Sequence, residues 1–395
     1  MNKSITTIAT LGIITLITGC SSSMSTQFAP GAEENWPNQN APGGPDGTGG
    51  GDWVPPNDDD PSGGGSPNPG GGARGSAPLF NGESLEGWTI VNGDKTTWVA
   101  QSNMIVTTGN PTGIMRTNEM YENFILELDW RHMVTNGNAG LFVWSDPIPA
   151  IGVPFTRSIE VQIMDGKELD WYTTHGDIFS IWGAQMTPDR PHPLGAHVQR
   201  CLPSERRSNP APEWNHYIVT CIDGTIKLSV NGKVVSGGFD ITPRKGYICF
   251  EAEGTPAQFK NIIIKVLPNS TPEIPESEIA NESIGFVTLF NGINLQGWVT
   301  SDETNWNAGG NILHCSKGSG MLTTSTSLKA YELMFDFKCN AEMSSAFVEI
   351  DGIKTTLPEG EMGKWSRFTI QGEDKTIGIG GDDASFTNVF IRPLQ

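Results

Sequence analysis

Phe124-Ile125-Leu126-Glu127-Leu128-Asp129-Trp130-Arg131 alternates. Phe124, Leu126, Leu128 and Trp130 fall on one face, and Glu127, Asp129 and Arg131 on the other. A period of two is that of a half-buried β-strand. Thr225-Ile226-Lys227-Leu228-Ser229-Val230 alternates as well, and the Asn231-Gly232 that follows is a hairpin turn signal. Gly246 to Glu253 and Phe259 to Leu267 read as two more strands, and no long segment carries helical periodicity. Many short strands separated by Gly, Asn and Pro turns predict an all-β protein, an antiparallel β-sandwich or jelly roll.

The alternating segment has a counterpart at Tyr331 to Lys338, and it is not alone. Leu79-Phe80-Asn81-Gly82-Glu83-Ser84-Leu85-Glu86-Gly87-Trp88 recurs as Leu289-Phe290-Asn291-Gly292-Ile293-Asn294-Leu295-Gln296-Gly297-Trp298. Trp214-Asn215-His216-Tyr217 matches Trp365-Ser366-Arg367-Phe368, and Phe259-Lys260-Asn261-Ile262 matches Phe386-Thr387-Asn388-Val389. The period far exceeds the roughly 20–50 residues of a solenoid unit, so the chain carries a duplicated domain. The second copy is shorter. It lacks most of what the first has between Arg131 and Trp214. The expected layout is a first sandwich at 79–268, a linker at 269–284 and a shortened second sandwich at 285–395.

The N-terminal region is different. Lys3 and an apolar stretch from Ile8 to Ile17 form a secretory signal, expected over residues 1–19. The stretch is shorter than the ~20 apolar residues of a spanning helix. Leu16-Ile17-Thr18-Gly19-Cys20 resembles the bacterial lipobox, which implies lipidation at Cys20 and a lipid-anchored protein of the bacterial cell envelope, with the outer membrane preferred because Ser21 is not aspartate. Residues 20–78 are rich in Gly, Pro, Ser, Asn and Asp and read as a disordered tether. Asp58-Asp59-Asp60 reads as solvated charge rather than as a calcium loop. The net charge of −19 excludes a nucleic-acid partner, which needs a basic patch. Five cysteines follow Cys20, an odd number, with Cys315 and Cys339 a plausible pair in the second copy.

Residues 145–211 have no equivalent in the second copy, so the framework does not need them and function is expected there. In Ser158-Ile159-Glu160-Val161-Gln162-Ile163-Met164-Asp165 the alternation puts Ile159, Val161 and Ile163 in the core and Glu160 and Gln162 on the opposite face. That face is either the lining of a cleft or the wet side of an amphipathic strand. Asp165 ends the strand. His175-Gly176-Asp177 reads as a turn with an accessible imidazole suited to acid–base work. His192 and His197 fall in a loop. With nearby carboxylates they allow a divalent metal site, although no tight ligand motif is present and no cofactor is certain. Arg200 pairs with an acid or lines the cleft. Trp88, Trp98, Trp130 and Trp214 have aromatic counterparts in the second copy and read as core. Trp144, Trp171 and Trp182 have none and are candidates for a sugar platform or for packing.

Taken in order, several segments are similar to the 3-keto-disaccharide hydrolase family, also described as 3-keto-glucoside lyase and 2-hydroxy-glucal hydratase. They are Leu79–Trp88, Gly113-Ile114-Met115, Phe124–Arg131, Asn138-Ala139-Gly140-Leu141-Phe142, Glu160-Val161-Gln162-Ile163, Pro212-Glu213-Trp214-Asn215, Val230-Asn231-Gly232-Lys233 and Phe259-Lys260-Asn261-Ile262. The resemblance covers about residues 79–267. It implies a concanavalin-like jelly roll and cleavage of 3-keto-glycosides by C2 proton abstraction, elimination at C1 and hydration. The expected catalytic groups are Glu160 and His175 as base and acid, Arg131 or a metal at the developing oxyanion, and Asp165 beside them. Asn138, Gln162, Trp144 and Trp182 are expected to bind the carbohydrate substrate. No nicotinamide fingerprint is present, so a separate oxidoreductase is expected to supply the 3-keto sugar. The rival reading is a lectin-like glycan-binding lipoprotein. The second copy, with Lys338 for Arg131 and no acid matching Glu160, is expected to be non-catalytic and to bind glycan, brace the first domain or mediate contacts.

Overall fold

The computed structural model describes residues 75–394 except 167–171, 174, 301–304, 317–319, 359 and 374–375. Cys20, the signal and tether segments and Trp171 therefore lie outside the described residues. Among the described residues the strands form four antiparallel sheets, two for each copy, and a short 3-10 turn lies at Glu276–Glu278. The chain is an all-β duplicated sandwich, as its alternation predicts.

In the first copy a nine-stranded sheet packs on a seven-stranded one. Phe124–His132 lies inside the larger sheet, between Asn215–Ile222 and Ala257–Val266. Its even residues meet the inner face of the smaller sheet in one core that includes Trp98, Trp130, Leu141, Val161, Tyr217 and Phe250. The order across the smaller sheet is Arg200–Cys201, His175–Ile181, Ser158–Met164, Asn138–Ser145, Tyr247–Ala252, Gly113–Thr117 and Trp88–Ile90.

The second copy repeats this order and stops early. Its larger sheet ends at Ser366–Gly372, the counterpart of Asn215–Ile222, and its smaller sheet ends at Ile353–Thr356, which stands in the place of Ser158–Met164. Leu313, Phe335, Val348, Ile379 and Phe386 fill its core.

The two sandwiches pack directly on each other. The outer face of the second copy's larger sheet contributes Met334 and Phe390, which with Phe286 and the loop residue Phe155 cover Ile114, Phe142, Tyr247 and Cys249 on the outer face of the first copy's smaller sheet. Burying such apolar surface on both sides is the main attractive term here. A polar clasp borders it. Asp336, fully buried, holds Arg367 at 2.7 and 2.9 Å, and accepts a hydrogen bond from the Gly152 amide at 2.9 Å. Asn388 Nδ2 donates to Asp336 and to the carbonyls of Ala150 and Val153, and Arg367 donates to the Pro149 carbonyl. The loop between Asn138–Ser145 and Ser158–Met164 is thereby held by the second copy. Gly152 sits at φ +77 against the Trp365 ring, where a Cβ would collide. Of the three roles expected for the second copy, bracing the first is the one these contacts describe.

The segment expected as a linker is also packed. Ile274 and Ala280 are buried, the Ala280 amide donates to the Lys245 carbonyl, and Arg244 pairs with Glu278. All five described cysteines are free, so the expected Cys315–Cys339 disulfide is absent. Cys315 Sγ instead lies 3.2 Å from the Gly381 carbonyl.

Candidate functional site

Ser158–Met164 places its side chains as its alternation requires. Ile159, Val161 and Ile163 are in the core, and Glu160 and Gln162 point the other way. That outer face is covered rather than open: Glu160 is 4% exposed and Gln162 3%. Buried polar groups call for partners, and for Gln162 the adjoining strand supplies Asn138. Register puts Phe142 beside Glu160, and puts Gly140 between Gln162 and Glu251. Gly140 has no side chain, and the carboxyls of Glu251 and Glu160 close over it. A Cβ there would lie 2.5 Å from Glu251 Oε2 and 3.1 Å from Glu160 Oε1. Glu253 follows on the same side of its strand. Asn138 Nδ2 donates to Glu253, and Asn138 Oδ1 accepts from Gln162 Nε2 at 2.9 Å. On the other flank of Glu160 stands Phe179, with the Arg200 guanidinium 3.4 Å over its ring and paired with buried Asp177 at 2.7 Å.

These surroundings reset the acids. Burial above all, then the charge of Glu253, pushes the Glu160 carboxyl well above the ordinary carboxylate range, with Arg200 opposing and Asp177 adding. Burial, then Glu253 and Glu160, does the same to Glu251. Burial lifts Glu253 to about 7, tempered by the Asn138 hydrogen bond. Burial thus favours the protonated form of Glu160 and Glu251, beside a Glu253 poised to exchange a proton. Three carboxyls this close titrate as a unit. One Glu251 oxygen, Oε2, is buried without a hydrogen-bond partner.

Sequence reasoning named Glu160, Gln162 and Asn138, and the structure brings them together. It missed Glu251 and Glu253. Tyr247-Ile248-Cys249-Phe250 is an unbroken apolar run buried on both faces, so alternation gave no outward polar face there, and Glu251 and Glu253 follow only at the end of that strand.

Other expectations are corrected. His175 is in a strand, not a turn, and is 3% exposed. It is paired with core-facing Ile163, and burial followed by the Arg206 charge holds its imidazole down to about 4. It is neutral at pH 7 and cannot serve there as the proton donor. Arg131 lies on the outer face of the other sheet, stacked over Trp214 and bound to Gln258 at 2.8 and 3.0 Å, so the whole sandwich separates it from Glu160. It cannot stabilise an oxyanion there. Trp144 is fully buried, its Nε1 donating to the Glu122 carbonyl, and is core rather than a sugar platform. Trp182 packs partly buried against the junction between the copies. Trp214, expected in the core, is half-buried on the outer face under Arg131 and Lys260. Asp165 is buried at the end of the sheet and accepts from the Asn136 amide, bracing a turn. His192 is buried and caps its own loop through the Leu194 amide. Among the described residues no group of three or more His, Cys, Asp or Glu side chains is arranged to hold a metal ion.

Residues 75–265 and 285–379 match the model of the 3-keto-alpha-glucoside-1,2-lyase-like domain. The chain belongs to this family, with both copies contributing to the match. No curated protein sequence matches it. Among solved structures, a putative glycosyl hydrolase from Parabacteroides distasonis is similar at 23% identity and TM-score 0.38, over 49% of this chain and 94% of that one. A carbohydrate binding module from Bacillus subtilis is similar at 14% identity and TM-score 0.33, over 45% and 95%. A beta-glucanase from Bacillus licheniformis is similar at 13% identity and TM-score 0.33, over 49% and 98%.

Proposed function

We propose that the first sandwich cleaves 3-keto-glycosides at the Glu160–Glu251–Glu253 face. The observation that carries this is the convergence of Glu160 and Glu251 over Gly140, next to a Glu253 whose carboxyl titrates at about 7. A ketone at C3 acidifies the C2 proton, and a base of near-neutral pKa suits its removal. Glu253 takes that proton. The electron pair forms the enolate, whose oxygen a protonated Glu251 can hydrogen-bond. As the C1–O bond breaks, Glu160 gives its proton to the departing oxygen. Water then adds at C1 of the resulting 2-hydroxy-glucal, and a proton returns to C2. Environments that push neighbouring carboxyls apart in pKa are what divide such acid and base roles. Asn138 and Glu253 are the partly exposed members, so the sugar reaches the face from their side.

The test is turnover of a 3-keto-glucoside beside the unoxidised glucoside. The proposal expects the first to be cleaved and the second left intact, and expects Glu160→Gln to lose activity while remaining folded. Glycan binding without turnover of either sugar would favour the lectin-like reading instead. We also propose that Cys20 carries the lipid anchor, that the protein works at the bacterial cell envelope and that a separate oxidoreductase supplies its 3-keto substrate. Labelling with a fatty-acid analogue, lost in Cys20→Ala, tests the anchor.

A further inference from the structure

The clasp by which the second copy grips the first is itself duplicated. On the first copy's larger sheet, Asp129 occupies the place of Asp336, His216 that of Arg367 and Asn261 that of Asn388, since Asp129 pairs across the strand with His216 as Asp336 does with Arg367. The same bonds are made. Asp129 holds His216 Nδ1 at 2.8 Å and accepts from Asn261 Nδ2 at 2.6 Å. Asn261 and Asn388 both sit at positive φ on a bulge, which aims the amide outward. Beside the clasp Trp214 lies under Arg131 and Lys260 as Trp365 lies under Lys338.

What differs is the occupant. In the second copy the Asp336 side chain is fully buried against the 149–153 loop, whereas in the first the Asp129 and His216 side chains are 20% and 41% exposed and Asn261 is exposed. The surroundings of the first copy's clasp are more polar, with Glu127 where the second copy has Met334 and Ile263 where it has Phe390.

We propose that the outer face of the first copy's larger sheet is a docking surface for a protein loop of the same build as 149–153, offered by another chain. Such a loop is a proline-flanked glycine turn that presents one amide to the Asp129 carboxylate and two carbonyls to Asn261. The weaker apolar surround and His216 in place of Arg367 fit a reversible contact, where the second copy makes a permanent one. A second copy of this chain is the less suitable partner, because its own 149–153 loop is already held.

The test uses the full chain and a cyclised peptide of residues 147–155, with binding followed by calorimetry. Saturable binding is expected. It should weaken at least about tenfold in Asp129→Ala/Asn261→Ala, as loss of a central contact does. It should tighten in His216→Arg/Glu127→Met/Ile263→Phe, which recreates the second copy's surface. Binding unchanged by the alanine pair would overturn the proposal, as would no binding by the recreated surface. A concentration-dependent dimer abolished by Asp129→Ala, without peptide binding, would also overturn it and identify a second copy as the occupant.

Discussion

The two copies put the same strands to opposite uses, and the difference lies in a few positions. In the first copy Gly140 leaves a hollow on the smaller sheet, and Glu160 and Glu251 fill it with carboxyls. In the second, register sets Phe347 in the place of Gly140, Gly380 in that of Glu251, Lys354 in that of Glu160 and Thr356 in that of Gln162. The Phe347 ring fills the hollow, lies over Gly380 and has the Lys354 ammonium 3.5 Å above it. A cluster of carboxyls in one copy is matched by packing in the other. The larger sheets differ in the reverse sense. The second copy's Asp336 clasp is buried in a contact, and the first copy's Asp129 clasp faces outward.

The strongest way to break this comparison is to remove the acid whose proton exchange is set near neutrality. Glu253→Gln should lower kcat on a 3-keto-glucoside by about 10²–10⁴-fold, the usual contribution of a positioned acid or base. Steady-state kinetics on a variant with an unchanged far-ultraviolet spectrum measures it. The wild-type rate should rise with pH through about 7 as Glu253 ionises, and this limb should vanish in the variant.

Next in size is the contrast between the clasps. Asp336→Ala leaves Arg367 without its carboxylate in a buried junction and should cost about 3 kcal/mol, as breaking a buried pair does. Asp129→Ala, at an exposed pair, should cost about 0–1 kcal/mol. Urea unfolding of both variants sharpens the comparison, and equal losses would erase it.

Gly140→Ala tests the hollow itself. The added methyl meets Glu251 Oε2 at 2.5 Å, and overpacking of this kind costs about 1–3 kcal/mol. Turnover should fall with it, because both carboxyls must move. A glycine-to-alanine change on the corresponding face of the second copy, Gly380→Ala, should reduce stability through Phe347 and leave kcat unaltered.

The smallest effect is a pH dependence of stability. Glu253 has a folded pKa raised to about 7 from an ordinary 4.5, so the folded state binds its proton more tightly than the unfolded one does. Its contribution to stability is complete below about pH 4.5 and is lost as pH rises through about 7. The midpoint of thermal unfolding should therefore fall across this window, less steeply in Glu253→Gln.

The fold was legible because alternation and turn chemistry are local, and Phe124–Arg131 alone conveys them. The candidate site was legible only in part. Subtracting one copy from the other by length pointed to residues 145–211 and so to Glu160 and Gln162, although their strand does have a counterpart, Ile353–Thr356, with Lys354 and Thr356 in their places. The subtraction passed over Glu251 and Glu253, which lie at the end of a strand both copies keep and whose counterparts are single-residue exchanges. His175 misled because a glycine and an acid beside it imitate a turn, while burial in the sheet decides its protonation. Arg131 misled because alternation tells which face a residue takes but not which of two sheets holds its strand. The clasp was invisible for the same reason, since Asp336, Arg367 and Asn388 come from three strands and the loop they hold from the other copy.

The central claim is that the Glu160–Glu251–Glu253 face abstracts a C2 proton. It is tested most directly by incubating a 3-keto-glucoside with the wild-type chain and with Glu253→Gln in heavy water and reading deuterium at C2 of the recovered sugar by NMR. The account predicts deuterium at C2 and released aglycone with the wild type, and neither with the variant. Release of the aglycone without deuterium at C2, or turnover undiminished in Glu253→Gln, would contradict it.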